Sequence, residues 1–394
     1  MKVLFVSANY ELFSDMEKNL WYSLAEEMDV TFFGPGFSDE KVIEEGIIPF
    51  LEKNDGFDLI VCTFGLLHLS ATDFSAREWY FYNRMNMSHY KIAEAVRFAP
   101  WLSKDLKRIS IPKVLMVVDD MGSFSTRMRD YIDKFIEEGF YLLTCGKEFT
   151  LKMPVTGVYA DNKISSCYRE IVENYSDRIL SIPVTAASVV EFFSSSLQSR
   201  EYDWCVPGNL SKDYPTRYTI HNMLRNYGYS VYDSFKDRNM GYEKGMRYKS
   251  AYSIPCRNME DIASWKEEYN QALRNSKVAY ADGGVSKVIV RKYFEIPSRG
   301  CVLMCDDIGG LSELGFIDGI NMIVVSPENV IEKSKELFMN YERMQEIAVA
   351  GQKLVMHKHT YRQRAIDAKQ CFKRIIDGSF KGSCWTNGEF VLFE

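Results

Sequence analysis

The chain has 394 residues, of which 46% are hydrophobic and 26% charged, and a formal net charge of −6. This length fits two domains of ordinary size. The acidic balance disfavours proteins whose main affinity comes from neutralising nucleic-acid phosphates.

Targeting features are few. The apolar start at residues 1–6 runs directly into Asn9, Glu11 and Asp15, unlike a signal peptide. The longest apolar stretches, such as 59–69, are far below the roughly 20 residues that span a bilayer. Nine cysteines without a CxxC pair suit a reducing compartment. We therefore expect a cytoplasmic protein without a transmembrane segment.

Short apolar strands alternate with helical patterns along the first half of the chain. A helix is predicted at 15–28. Strands are predicted at 2–7, 30–33, 57–63, 112–118 and 140–144. Strands of this kind separated by helices indicate a parallel sheet covered on both faces. We expect this first domain to span residues 1–195.

The same alternation restarts after a polar linker at 194–202, which predicts a second domain over 200–358. Its predicted strands are 203–206, 229–232, 277–280, 301–305 and 321–325, and its predicted helices are 216–226, 258–274 and 285–298. Three helices close the chain near 327–339, 342–356 and 360–377. Tandem doubly wound domains place a ligand cleft between them, at the carboxyl ends of their strands.

The turn Asp282-Gly283-Gly284 follows a predicted strand and precedes a predicted helix beginning near Val285. A glycine turn that leads into a helix exposes backbone N–H groups and the positive end of the helix dipole. This arrangement favours a diphosphate, although such turns also serve simply as helix caps.

Three charged residues, Lys287, Arg291 and Glu295, recur at intervals of four, which places them on one face of the predicted helix. Lys287 and Arg291 are candidates for neutralising phosphate oxygens, and the forked guanidinium makes Arg291 a candidate catalytic residue. Glu295 can accept hydrogen bonds from ribose hydroxyls. An exposed face of salt bridges is the alternative interpretation.

Asp306-Asp307 follows the next strand, and Gly309, Gly310 and Leu311 open a predicted short helix. The segment 309–313 is expected to line the sugar end of the same pocket.

The pattern FEIPSRGCVLMCDD, followed by IGGLSELGFIDGINMIVV and then by His359-Thr360-Tyr361 with Arg364, resembles the C-terminal half of the spore-maturation (CgeB-like) glycosyltransferases of GT-B fold. The resemblance covers residues 276–372. Residues 203–208, with Arg217 on the next helix, extend it, whereas the first domain matches in architecture alone.

This resemblance implies an α/β protein of two tandem Rossmann-like domains, with a crossover helix and tail at 359–394 that pack on the first domain. It implies transfer of a sugar from a nucleoside diphosphate, a UDP-sugar being the expected donor, with no metal required. Glu295 resembles the ribose-binding second Glu of an E-x7-E motif, whereas Lys287 replaces the first Glu. Gly208 and Arg217 resemble the glycine turn and basic residue beside the diphosphate.

The first domain is expected to bind the acceptor, whose hydroxyl belongs to a glycan or a small molecule. Asp119 and Asp120 follow the predicted 112–118 strand and are the candidate catalytic bases. A helix N-cap is their alternative role. An inverting enzyme needs such a base, whereas in a retaining enzyme the leaving phosphate can assist deprotonation, and both stereochemical outcomes stay open.

Two other functions fit the same fold, a nucleotide-sugar epimerase and a non-catalytic nucleotide-binding protein. A modified DNA base is the minority acceptor, with basic residues at 104–108 or 127–129 available for phosphate contacts.

Overall fold

Two parallel β-sheets with helices on their faces form the framework of the chain. The computed structural model describes residues 1–7, 15–34, 36–63, 105–117, 126–152, 164–208, 210, 214–232, 259–285 and 287–394.

The first half of the chain forms a six-stranded sheet. Its strands are β1 (Lys2–Val6), β2 (Asp29–Phe33), β3 (Leu59–Thr63), β4 (Lys113–Met116), β5 (Phe140–Thr144) and β6 (Ile179–Ser181). Its helices are α1 (Asp15–Glu27), α2 (Glu40–Glu45), α3 (Ile47–Lys53), α4 (Thr126–Glu137) and α5 (Ile164–Asn174). The strands are all parallel, in the order β2-β1-β3-β4-β5-β6.

Both faces of this sheet are buried. Side chains alternate between faces along a strand, so Val3 and Phe5 of β1 pack into one core and Leu4 and Val6 into another. This is the reason that the strands are continuous apolar runs rather than alternating ones.

The strand order reverses between β1 and β3, which makes a switch point at their carboxyl ends. Ser7 follows β1 and Thr63 ends β3. Their hydroxyl oxygens lie 3.0 Å apart, and both residues are buried.

The second sheet has four parallel strands, β7 (Tyr202–Cys205), β8 (Ser276–Ala281), β9 (Val302–Cys305) and β10 (Ile323–Val324). Its helices are α6 (Pro215–Tyr227), α7 (Met259–Arg274), α8 (Lys292–Ser298), α9 (Val330–Met339) and α10 (Tyr341–Lys358). The order is β10-β9-β8-β7, and Val231 adds a single parallel bridge to Trp204 on the outer side of β7.

The last helix, α11 (Tyr361–Ile376), returns to the first sheet and packs on α1. Its Ala365, Ala368 and Phe372 share one core with Leu20 and Leu24 of α1. The predicted crossover is therefore confirmed, as is the pair of α/β domains.

A C-terminal hairpin, β11 (Ser383–Thr386) and β12 (Glu389–Leu392), follows the crossover helix. Trp385 Nε1 donates to Ser181 O at 2.8 Å, which fixes the hairpin beside the end of β6. The tail was expected to pack on the first domain but was not predicted to form strands.

The predicted helix 285–298 is wrong in its first half, because α8 begins only at Lys292. Gly284 and Lys287 have φ angles of +63° and +52°, which are left-handed and interrupt a helix. Lys287, Arg291 and Glu295 therefore do not lie on one helix.

Two further predicted elements are less regular in the structure than the sequence suggested. Residues 309–315 form turns rather than a short helix, and the predicted strand 229–232 is reduced to the bridge at Val231. Residues 309–315 make their backbone hydrogen bonds within local turns, such as Leu314 N to Gly310 O at 3.0 Å, whereas Ser230 and Tyr232 bond to β7, as in Tyr232 N to Trp204 O at 2.8 Å.

Candidate functional site

The order of the second sheet reverses between β7 and β8, because the chain leaves β7 for Val231 on one side and returns to β8 on the other. A crevice at the carboxyl ends of β7 and β8 is therefore the expected ligand position. Gly208 lies just beyond β7 and Asp282 directly after β8.

The Gly208 turn brings two cations together. Its φ is +97°, and a Cβ there would lie 2.7 Å from Lys292 Cε and 3.0 Å from Arg217 Nη1. Glycine is required both for the backbone angle and for this close approach. Lys292 comes from the start of α8 and Arg217 from α6, so two separate elements supply the positive charge.

Arg217 forms a buried ion pair with Asp282, and both side chains are almost wholly inaccessible. Arg217 also stacks on Tyr214, with 3.8 Å from its guanidinium carbon to the ring centroid. Burial raises the pKa of Asp282, and the Arg217 guanidinium counters this rise only in part. Asp282 thus orients Arg217. Direct contact between Asp282 and the ligand remains a prediction.

The turn at Gly283 and Gly284 is organised by Asp306, which follows β9. Asp306 Oδ1 accepts from Gly283 N at 3.2 Å and from the Tyr293 hydroxyl, and Lys287 Nζ lies 2.7 Å from Oδ2. A Cβ at Gly283 would come within 2.7 Å of Val288 O, so the loop folds tightly on itself. Lys287, a predicted phosphate ligand, forms this ion pair with Asp306, and its side chain is 36% exposed.

Glu295 lies in a buried network. Its Oε1 is 2.8 Å from Arg291 Nε, and its Oε2 accepts from the Tyr269 hydroxyl at 2.8 Å. Burial acts to raise the pKa of Glu295, but Arg291 and Arg299 together bring that pKa below its usual value. Glu295 is therefore a carboxylate held in one orientation.

Arg291 also reaches across to the segment that joins the two sheets. Its Nη2 donates to Glu191 Oε1 at 2.5 Å, and Arg299 Nη1 donates to Glu191 Oε2 at 3.3 Å. The expected i,i+4 pair of Arg291 and Glu295 thus exists, but in the interior rather than on an exposed face.

The Gly309-Gly310 turn, predicted to line the sugar end, packs against the first half of the chain. A Cβ at Gly309 would lie 2.7 Å from Phe149 O, and one at Gly310 would overlap the Phe149 ring. Lys152 pairs with Asp307 beside this contact, and Leu311 is buried. The carboxyl ends of β5 and β9 therefore face each other.

Asp119 and Asp120, the candidate bases, lie outside the described residues. Sequence reasoning missed Lys292 and Glu191. Lys292 could have been identified from the sequence, because it is a basic residue that directly precedes Tyr293, Phe294 and Glu295. Glu191 lies in a segment with no motif.

Two negative findings apply to the part of the chain that the structure describes. It contains no group of three His, Cys, Asp or Glu side chains arranged to hold a metal ion. Nor does it contain a helix with the length and apolar character needed to cross a membrane.

Residues 239–370 match a protein family described as glycosyl transferase-like. No curated protein matches the chain. The family match covers much of the second sheet and most of α11.

Solved structures share the whole architecture. HepE from Anabaena, in complex with UDP and glucose, is 11% identical over 95% of this chain and 99% of its own, with a TM-score of 0.55. A glycosyltransferase from Rickettsia africae ESF-5 is 11% identical over 96% and 99%, with a TM-score of 0.52. Sucrose-phosphate synthase from Thermosynechococcus elongatus is 10% identical over 96% and 100%, with a TM-score of 0.51.

At such low identity these likenesses establish the fold, which is the GT-B arrangement of two Rossmann-like domains. The predicted fold class is confirmed, and the match over residues 239–370 confirms the expected glycosyltransferase-like second half.

Proposed function

We propose that this protein transfers a sugar from a nucleoside diphosphate, with UDP as the expected nucleotide, to an acceptor hydroxyl. The observation that carries the proposal is the meeting of Arg217 and Lys292 at the Gly208 turn, at the switch point of the second sheet. Two cations beside a half-buried backbone turn suit the diphosphate leaving group. The complexes of HepE with UDP and UDP-glucose support this choice of nucleotide.

The proposed division of labour follows the two sheets. Residues 1–195 bind the acceptor, residues 200–358 bind the donor, and residues 359–394 join them. The contact of Phe149 with the Gly309-Gly310 turn supports this assignment, because it brings the two carboxyl edges together.

Diphosphate departure is the step that this site is suited to assist. Negative charge grows on the leaving oxygen as the glycosidic bond breaks; the half-buried Lys292 is proposed to contact it, and the buried Arg217 adds positive charge behind the Gly208 turn. Asp282 holds Arg217 in place and so limits reorganisation during the reaction. Because fixed side-chain cations supply this charge, we propose that catalysis requires no metal.

Glu295 is proposed to bind the ribose. Arg291 lies at Oε1 of Glu295, and the Tyr269 hydroxyl donates to Oε2. Each carboxylate oxygen can accept a further hydrogen bond from a ribose hydroxyl. The CgeB-like assignment rests on this glutamate and its surrounding motif, with Lys287 in place of the first glutamate.

The acceptor is proposed to be a hydroxyl of a glycan or a small molecule. Asp119 or Asp120 is the proposed base for an inverting reaction.

A thermal-shift series with UDP, ADP, GDP and inorganic phosphate tests the proposal. We expect UDP to raise the melting temperature, by an amount equivalent to about 2.7 kcal/mol at a hundred times its Kd. Lys292→Ala and Glu295→Ala should each remove most of that shift, whereas Lys353→Ala, an exposed lysine on α10, should retain it. A melting temperature indifferent to every diphosphate would contradict the proposal.

Turnover distinguishes the remaining alternatives. Incubation with UDP-sugars alone should leave the sugar unchanged apart from slow hydrolysis. Interconversion of sugars without an acceptor would indicate an epimerase instead. Nucleotide binding without turnover towards any acceptor would indicate a binding protein.

A further inference from the structure

One carboxylate of the connecting segment, residues 182–201 between β6 and β7, holds both ends of α8. Glu191 Oε1 accepts from Arg291 Nη2 at 2.5 Å, and Arg299 Nη1 donates to Glu191 Oε2 at 3.3 Å. Arg291 directly precedes α8 and Arg299 directly follows it. The same helix supplies Glu295, the proposed ribose ligand, so Glu191 anchors the element on which that ligand lies.

Glu191 is itself fixed in place by the backbone around it. Ser188 N donates to Glu191 Oε2 at 3.1 Å, as in the capping box at the start of a helical turn. Ala187 O accepts from Tyr361 N at 3.1 Å, and Ala187 N donates to His359 O at 2.9 Å. The chain passes between the two sheets at the connecting segment and again before α11, and these two passages are hydrogen-bonded to each other a short distance before Glu191.

Arg291 is held between two carboxylates. Its Nη2 donates to Glu191, while its Nε lies 2.8 Å from Glu295 Oε1. Burial acts to lower the pKa of Arg291, but the surrounding acidic groups, of which Glu295 is the strongest, raise that pKa above its usual value. The side chains of Glu191 and Arg291 are 13% and 18% exposed, so salt screens this pair only weakly.

The charges of the neighbouring elements also act on Glu295. Burial acts to raise the pKa of Glu295, but three cations outweigh it: Arg291, Arg299 and Lys292. Two tyrosines complete the surroundings, and burial keeps both hydroxyls neutral by raising their pKa: Tyr269 of α7 and Tyr361 of α11. Glu191 is the second carboxylate that pairs with both arginines, so its removal leaves Glu295 to balance more of this positive charge.

The consequence concerns the acceptor sites of Glu295. A guanidinium often pairs with a carboxylate as a bidentate fork, in which two N–H groups take both oxygens. Glu191 accepts from Nη2 of Arg291 and so withholds that group from Glu295. Arg291 therefore occupies only one side of Oε1, and the remaining acceptor sites on the carboxylate stay open to hydroxyl groups.

We propose that Glu191 is a positioning residue for the nucleotide, which keeps Arg291 from chelating Glu295 and so leaves Glu295 free to bind ribose hydroxyls. This inference rests on the proposed role of Glu295. It gives the connecting segment a part in donor binding, although that segment lies outside the second sheet. A purely structural Glu191 would affect every nucleotide alike, whereas a positioning role affects those with ribose hydroxyls.

Titration calorimetry on the full chain with UDP and 2′,3′-dideoxy-UDP tests this role. The dideoxy nucleotide keeps the base and the diphosphate but lacks both ribose hydroxyls. In the wild-type protein we expect UDP to bind at least about tenfold more tightly, because hydrogen bonds to a carboxylate are lost with the hydroxyls. Glu191→Gln keeps the size of the side chain and removes its charge. In this variant the ratio should fall to about threefold or less through weaker UDP binding, while dideoxy-UDP binding stays within about twofold of wild type.

Glu201→Gln is the matched control, because Glu201 is an exposed glutamate at the far end of the same segment. Its ratio should equal that of the wild-type protein. Glu191→Asp is a second test variant, which keeps the charge but draws the carboxylate away from Arg291. It should lower the ratio as well, so the test does not depend on the folding of Glu191→Gln.

Failures of this inference and of the proposed function are distinguishable. An unchanged ratio in both Glu191 variants, with UDP still bound, would overturn the inference and leave the proposed function intact. Equal weakening of the two nucleotides in those variants would overturn it as well, since a structural role has that signature. No UDP binding by the wild-type protein would contradict the proposed function itself, and this inference with it.

Discussion

The carboxyl edges of the two sheets face each other but differ in chemistry. In the first sheet, β1 and β3 meet at a neutral pair of hydroxyls, Ser7 and Thr63. In the second sheet, β8 and β9 are followed by Asp282 and Asp306, and each carboxylate is paired with a cation.

This difference indicates which half is organised in advance. Buried ion pairs fix side chains in one orientation but cost desolvation, so they are weak devices for stability alone. The two ion pairs at the second edge are consistent with a site whose side chains are oriented before a charged ligand binds. The first edge, as far as it is described, has no such ion pair at the ends of β1 and β3.

The largest effect should come from breaking the ion pair of the second edge. Arg217→Leu leaves Asp282 buried without its counter-charge, and we expect about 3–5 kcal/mol of unfolding free energy to be lost in urea titrations. Arg225→Leu, an exposed position on the same helix, should change it by less than about 0.5 kcal/mol. Equal losses in the two variants would mean that the ion pair has no special role.

The contact between the two edges is the next test. Gly310→Ala places a methyl group in the Phe149 ring at a φ of +87°, and we expect about 1–3 kcal/mol of destabilisation. Gly319→Ala is a close control, because its φ is +74° and no atom lies within 4 Å of the added Cβ. Small-angle scattering should show a wider separation of the halves only for Gly310→Ala. Identical behaviour would show that backbone strain alone is responsible.

The smallest effect is expected at the first edge. Thr63→Val keeps the shape of the side chain but removes the partner of the Ser7 hydroxyl, which should cost about 1 kcal/mol in the same titrations. Adding Ser7→Ala should recover part of the loss, since no hydroxyl then remains unpaired. A loss as large as that of Arg217→Leu would remove the contrast between the two edges.

Much of the framework was predictable because apolar runs and turn residues determine it locally. The strand at 140–144 and the closing helices near 342–356 and 360–377 agree closely with β5, α10 and α11. These segments have a single strong periodicity and clear caps, such as Thr360, whose side chain accepts from Gln363 N.

The site was less predictable, because left-handed backbone at a lysine has no sequence signature. Lys287 reads as a helical residue, yet its φ of +52° ends any continuous helix from Gly284. Contacts that depend on tertiary approach, such as Lys292 at Gly208 or Glu191 at Arg291, join residues far apart in the chain. The hairpin did carry a signal, since Asn387-Gly388 is the pair favoured in two-residue turns.

The return of α11 to the first sheet has a consequence for biosynthesis. One face of that sheet is covered by residues such as Ala368 and Phe372, which are synthesised after the whole of the second sheet. Until they emerge from the ribosome, Val3 and Phe5 have only part of their partner surface. The amino-terminal half therefore completes its core only after translation of the other half, and until then its apolar face is available to chaperones.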